Sequence, residues 1–132
     1  MRRVVITGFG AISAVGLTAE ETWQNIVEGR SGVGPITLFD TTDFPVGLAA
    51  EVKGFDPNTV LDHREVRRQD RFEWLANAVA QEALAHSGMA VTEDNCDRIG
   101  VAMSSGIGGL EPLTDQARTL CEEGARRLSP FA

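Results

Sequence analysis

Four groups of residues have types and spacing that could do chemistry. The first is Gly8-Phe9-Gly10, set directly after the β-branched run Val4-Val5-Ile6-Thr7. A strand running into glycines is how a dinucleotide site begins, because the glycines bring backbone close to a pyrophosphate at a helix N-terminus. That fingerprint needs Gly or Ala at its sixth position and an acidic residue about 20 residues on, closing a second strand. Here the sixth position is Ser13, and Glu28 falls in a helical pattern with no second strand before it. A stand-alone dinucleotide-binding module is therefore the least favoured reading. The glycines read instead as a tight turn beneath a neighbouring element.

The second group is basic. Arg64, Arg67, Arg68 and Arg71 fall at i, i+3, i+4 and i+7, the spacing of one helix face. They are four of twelve cations in a chain of net charge −7. Such a patch could dock an acidic partner, although Asp62, Glu65 and Asp70 beside it also fit an ordinary solvated face. The third group, Ser104-Ser105-Gly106-Ile107-Gly108-Gly109, lacks the Lys-Ser/Thr of a phosphate loop. It holds one bulky residue, Ile107, between glycines at a strand's carboxyl end, where open α/β sheets bind ligands.

The fourth group is Cys96, Cys121, His63 and His86. Cys96 lies in the acidic turn Glu93-Asp94-Asn95-Cys96-Asp97, and Cys121 sits late in a helix beside Glu122 and Glu123. Negative charge and the helix dipole both oppose a nucleophilic sulfur there. The histidines show no metal-ligand spacing, so no metal is expected.

The elements that must position these groups alternate. A first strand is expected over Arg3 to Thr7. A helix follows, with Thr18 as N-cap, Glu21 closing a capping box, the stripe Trp23, Ile26 and Val27, and Gly29 just past its end. Residues 30–57 read as loop, with a short strand possible over Val46 to Val52. Asp62-His63-Arg64-Glu65 is a second capping box. After Asp70, Phe72, Leu75, Ala76, Val79, Ala80, Ala83 and Leu84 recur at helical spacing as far as Gly88, and their alanines predict a long, deeply buried helix. A strand over Ile99 to Met103 and a helix over Glu111 to Glu123 complete an α/β pattern with a mainly parallel sheet.

Composition narrows the class. At 132 residues, 42% hydrophobic and 23% charged, the chain is about one soluble domain. The acidic balance, with six Phe, two Trp and no Tyr, argues against a general nucleic-acid binder. Two cysteines make no disulfide framework and fit a reducing compartment. The opening Met1-Arg2-Arg3 is followed by a run broken by Gly8, Gly10, Ser13 and Gly16, unlike a signal peptide. No stretch approaches the ~20 apolar residues of a membrane span, so a cytoplasmic location is expected. A parallel sheet wants several strands with both faces covered, so this chain reads as the front of something longer.

Taken together, "VVITGFGAISAVG", "GRSGVGPITLFDTTDFPV", "AEVKGFDPN", "REVRRQDRF" and "SSGIGGLE" closely resemble the amino-terminal part of the type II β-ketoacyl-[acyl-carrier-protein] synthases. These are the elongating condensing enzymes of bacterial fatty acid synthesis. The similarity runs in order from Met1 to Phe131. It implies a thiolase-type fold of two similar α/β halves stacked in five αβαβα layers, in a homodimer. Residues 1–132 would then be one segment of the first half, an incomplete mixed sheet with flanking helices.

The implied chemistry is a decarboxylative Claisen condensation of an acyl thioester with malonyl-acyl carrier protein, without a cofactor. A cysteine takes the acyl chain, and two histidines assist decarboxylation of the malonyl group. The family motifs carrying those side chains are absent here, so the chain alone is expected to be inactive. Two features carry over by resemblance. Arg64, Arg67 and Arg68 match positions that contact the acidic helix of acyl carrier protein, and the helical spacing adds Arg71. Ile107, with Gly106 and Gly108, matches the end of the acyl pocket that limits chain length, and Phe131 begins a segment lining the partner subunit's pocket. A polyketide ketosynthase, or its non-catalytic chain-length factor, is the alternative.

Overall fold

The computed structural model describes residues 3–129. Its helices are α1 (Ala19–Val27), α2 (His63–Val66), α3 (Arg71–Ser87) and α4 (Leu110–Glu123), and its strands are β1 (Val33–Pro35) and β2 (Leu48–Ala50). Single 3-10 turns lie at Pro57–Thr59, Cys96–Arg98 and Ala125–Arg127. The packing separates two units, one holding the chain up to Asp56 together with Ala78–Ala90, the other Pro57–Asn77 and the chain from Val91 on.

Helix ends follow the local chemistry of the sequence. Thr18 Oγ1 accepts the Glu21 N–H at 3.1 Å, while the Glu21 carboxylate accepts the Leu17 N–H at 2.7 Å, so the box reaches one residue further back than expected. Gly29 adopts φ +72°, and the bonds Gly29 N–H to Ile26 O and Arg30 N–H to Asn25 O close α1 as a Schellman motif. Gly88 and Gly124 end α3 and α4 with φ of +65° and +85°.

The sheet departs from expectation. Its two strands are antiparallel, with Val33, Gly34 and Pro35 opposite Ala50, Ala49 and Leu48. The expected strands Arg3–Thr7 and Ile99–Met103 carry no ladder among the described residues. Val4 is 96% exposed, Ile6 89% and Val101 85%. β-Branched composition describes a side chain suited to a pleated, covered surface; it supplies neither the partner strand nor the cover. The same holds for α3, whose residues are not deeply buried: among the described residues no apolar side chain is buried.

In the first unit the opening segment lies against α3 through its glycines. A Cβ on Gly8 would stand 2.4 Å from the Ala83 carbonyl oxygen, and one on Gly10 would stand 2.4 Å from that of Val79. Neither glycine has positive φ, so close approach rather than an unusual turn requires them. Glu82, one turn along α3, clamps the arrangement. Its Oε2 accepts the Ala11 N–H and its Oε1 the Ala19 N–H, both at 2.8 Å. The second bond satisfies a free amide at the N-terminus of α1 and places negative charge on the favourable end of its dipole.

Glu51 is the buried polar side chain of this unit, 8% exposed. Burial pushes its carboxyl up, but the Thr37 N–H and hydroxyl, the Leu38 N–H and the Lys53 ammonium 3.6 Å away outweigh this and hold it below the ordinary glutamate value. The folded group is therefore the stronger acid. Its contribution to holding the loop after β1 is complete above the ordinary value near 4.3 and is lost as pH falls through the depressed one. Hydrogen exchange across residues 36–47 of the folded protein is expected to quicken, relative to intrinsic rates, as pH falls below the ordinary glutamate value. Glu51→Gln should expose the loop at neutral pH and remove that dependence; equal protection in both proteins would refute the clamp.

Candidate functional site

The second unit gathers the basic residues and the glycine loop. Asp62 starts α2 with a reciprocal capping box: its Oδ1 accepts the Arg64 and Glu65 N–H groups, and Glu65 Oε2 accepts the Asp62 N–H at 3.0 Å. The helix lasts one turn. Arg68 and Gln69 both donate backbone N–H groups to Glu65 O, and a new capping arrangement begins at Asp70. The Asp70 N–H donates to Glu73 Oε2 at 2.8 Å, and Asp70 Oδ1 accepts the Arg71 N–H at 2.6 Å. The expectation that Arg64, Arg67, Arg68 and Arg71 share one helix face is corrected accordingly. Arg64 lies on α2, Arg67 and Arg68 on the turn after it, and Arg71 opens α3. A helix stop and restart at Asp70 breaks the spacing on which the stripe depended.

The turn is held from α3. Asn77 Nδ2 donates to Gln69 Oε1 at 3.1 Å and to the Glu73 carbonyl at 2.9 Å. On the other side, the Gly108 N–H donates to Ser105 Oγ at 2.9 Å, and Gly108 adopts φ +83°, which a side chain would strain. Gly109 has no such φ. It is constrained by space, since a Cβ there would sit 2.6 Å from Asp70 Oδ2. Ile107, between these glycines, is 74% exposed.

Arg67, Arg68, Phe72, Ile107, Leu113 and Leu128 are among the residues lining a shared open cavity of about 750 Å³. Two guanidinium groups suit an anionic group, and the apolar lining suits a hydrocarbon chain. Arg64, Arg71, Gly106 and Gly108 are not on its lining, and Phe131 lies outside the described residues. The lining carboxylates, Asp70 and Glu73, are engaged in capping α3. Cys96 and Cys121 are exposed and line no part of the cavity, nor do His63 and His86. Among the described residues no His, Cys, Asp and Glu cluster could hold a metal ion, and no helix is long and apolar enough to cross a membrane. Asp70 and Phe72 are among the lining residues that no sequence signal assigned to a site, although Asp70-Arg71-Phe72-Glu73 carries the Asp-x-x-Glu spacing of a helix start.

Comparison with known proteins agrees with the resemblance. The family model for the β-ketoacyl synthase N-terminal domain matches residues 1–132. Proteins named 3-oxoacyl-[acyl-carrier-protein] synthase 2 from Synechocystis sp. and Coxiella burnetii are each 45% identical over 130 residues. The match covers 98% of this chain and 31% of each relative, so the chain spans less than a third of their length. The structure of the ishigamide ketosynthase/chain length factor superposes with TM-score 0.77 at 32% identity, over 98% of this chain and 32% of that one. A β-ketoacyl synthase from Burkholderia phymatum gives TM-score 0.76, also at 32% identity, over 96% of this chain and 31% of that one.

Proposed function

The chain belongs to the β-ketoacyl synthase family, and from that membership we propose that it supplies the carrier-docking turn and the acyl-length gate of an elongating condensing enzyme. Its fold is the amino-terminal portion of the thiolase-type fold of its structural neighbours. The observation that carries the proposal is the common cavity of Arg67, Arg68 and Ile107. A carrier protein with an acidic helix would meet the guanidinium groups, with Arg64 adding charge from α2. Its acyl chain would be measured against Ile107.

In that reading the covalent steps use side chains outside this segment. A cysteine thiolate displaces the carrier thiol from the acyl thioester. Malonyl-carrier protein loses carbon dioxide, and the resulting carbanion attacks the enzyme-bound acyl carbonyl, forming the C–C bond and freeing the cysteine. Homodimerisation and a cytoplasmic location belong to the same proposal. The ketosynthase/chain length factor neighbour keeps a second reading open, in which the fold serves polyketide synthesis or lacks the nucleophile. The residue at the nucleophile position of the complete protein separates the two.

Charge reversal tests the docking. In a complete synthase carrying this segment, the double variant Arg67→Glu/Arg68→Glu should raise the apparent KM for carrier-bound substrate severalfold at low salt. Each exposed pair is worth only about 0.2–1 kcal/mol, so single changes should be mild and the effect should fade as salt screens it. Turnover of a short carrier-free thioester should hardly change. An equal loss with both substrates would make the turn structural and remove it from docking.

A further inference from the structure

We propose that Asp70 is a positioning residue that ties the docking turn to the glycine loop, so that carrier binding at Arg67 and Arg68 alters the position of Ile107. The inference rests on the docking-and-gate reading above and adds a coupling between its two parts. The physical link is short. Asp70 follows Arg67-Arg68-Gln69 directly, and Gly109 follows Ile107-Gly108 directly. Asp70 Oδ2 occupies the space where any side chain at position 109 would begin, 2.6 Å from that Cβ.

The carboxylate has little freedom to move away alone. Its Oδ1 accepts the Arg71 N–H, and the Asp70 backbone N–H donates to Glu73 Oε2. The turn before it is fixed through Gln69, which accepts from Asn77. A shift of Arg67 and Arg68 is therefore carried to Asp70 as a displacement of the turn rather than absorbed by it. The loop it meets is the softer partner. Nothing lies within 4 Å of a Cβ at Gly106 or Gly108, and Ile107 is largely exposed. A rigid turn pressing on a loose glycine loop is a route for coupling between docking and chain measurement.

The test uses a complete synthase and four rates: a long and a short acyl primer, each on the carrier protein and on a carrier-free thioester. In the parent, the advantage of the carrier-bound form should be greater for the long primer by about fivefold or more, the lower end of typical coupling. Asp70→Ser keeps a capping hydroxyl but withdraws the second oxygen from Gly109, and should abolish that difference. Gly109→Ala should do the same by displacing the carboxylate, and the double variant should be no worse than Asp70→Ser alone because both remove one contact. Each value is a ratio within one preparation, so partial loss of folded enzyme cancels. Survival of the difference in both single variants, or its absence in the parent, would overturn the coupling. Ile107→Phe run alongside keeps the two readings apart. If it shortens the accepted chain while the Asp70 and Gly109 variants keep the difference, the gate stands and the coupling falls. If it leaves chain length untouched, the gate falls and the coupling with it.

Discussion

Replacing Ile107 with Phe in a complete synthase is expected to lower kcat/KM for long acyl primers by about tenfold or more, from ~1.4 kcal/mol upward. Primers of roughly two to six carbons should be elongated nearly as before, because the larger side chain obstructs only an acyl chain long enough to reach it. The local structure favours a length-dependent effect over a general one. Ile107 is the one bulky side chain between Gly106 and Gly108, and it is 74% exposed. Isoleucine is stiff at χ1, so it clears a path only by moving with the backbone beneath it. That backbone is glycine on both sides, and Gly108 already holds a left-handed φ of +83°. Phenylalanine would fill the path that such a movement opens. The measurement is a primer-length series with both proteins. A uniform drop at every length, or no drop at any, would show that Ile107 sets no limit.

What could be read from the residues alone divides by range. Helix boundaries were legible because their signals are local: Thr18 and Asp62 at N-termini, Gly29, Gly88 and Gly124 at C-termini. The failures were non-local or involved two signals in competition. At residues 64–71 the four-arginine spacing competed with the capping pair Asp70 and Glu73, and the cap prevailed because it satisfies amides that a continuous helix would otherwise have to bond. The strand Val33–Pro35 hid in glycine- and proline-rich text, since its partner Leu48–Ala50 is reached only across a loop. Val4, Ile6 and Val101 have the composition of covered strands yet stand exposed in a segment spanning 31% of its relatives' length.

The site shows the same division. Ile107 between glycines was legible as an isolated bulky group, whereas Asp70 against Gly109 depends on two segments 39 positions apart in the chain meeting in space. Resemblance bridged part of that distance by bringing Arg67, Arg68 and Ile107 into one functional reading. Their shared cavity is a three-dimensional fact that no spacing encodes.

The glycines of the opening segment lead to the second large effect. Gly10→Ala in a complete synthase is expected to destabilise the fold by about 3 kcal/mol or more. Overpacking contributes about 1–3 kcal/mol, and a lost hydrogen bond to a charged group about 1.5–3. The added Cβ would lie 2.4 Å from the Val79 carbonyl oxygen and 3.0 Å from the Ala83 N, both backbone atoms inside α3, which cannot rotate away as a side chain could. The segment must then withdraw from the helix. Withdrawal pulls the Ala11 N–H from Glu82 Oε2, while the other oxygen of that carboxylate still holds Ala19 at the start of α1. Gly8→Ala should behave alike, because its Cβ would meet the Ala83 carbonyl at 2.4 Å and the Ser87 N at 2.6 Å. The φ angles at both positions are negative, so these losses come from space and not from backbone strain. Chemical denaturation of the parent and both variants measures them. The same pair of variants decides the question raised by Val4–Gly10: in a phosphate-binding loop, Gly10→Ala would leave stability near the parent's and abolish nucleotide affinity instead. A parent-like unfolding midpoint with lost nucleotide binding would therefore restore the dinucleotide reading, and a large fall in midpoint leaves the glycines as the seam between the opening segment and α3.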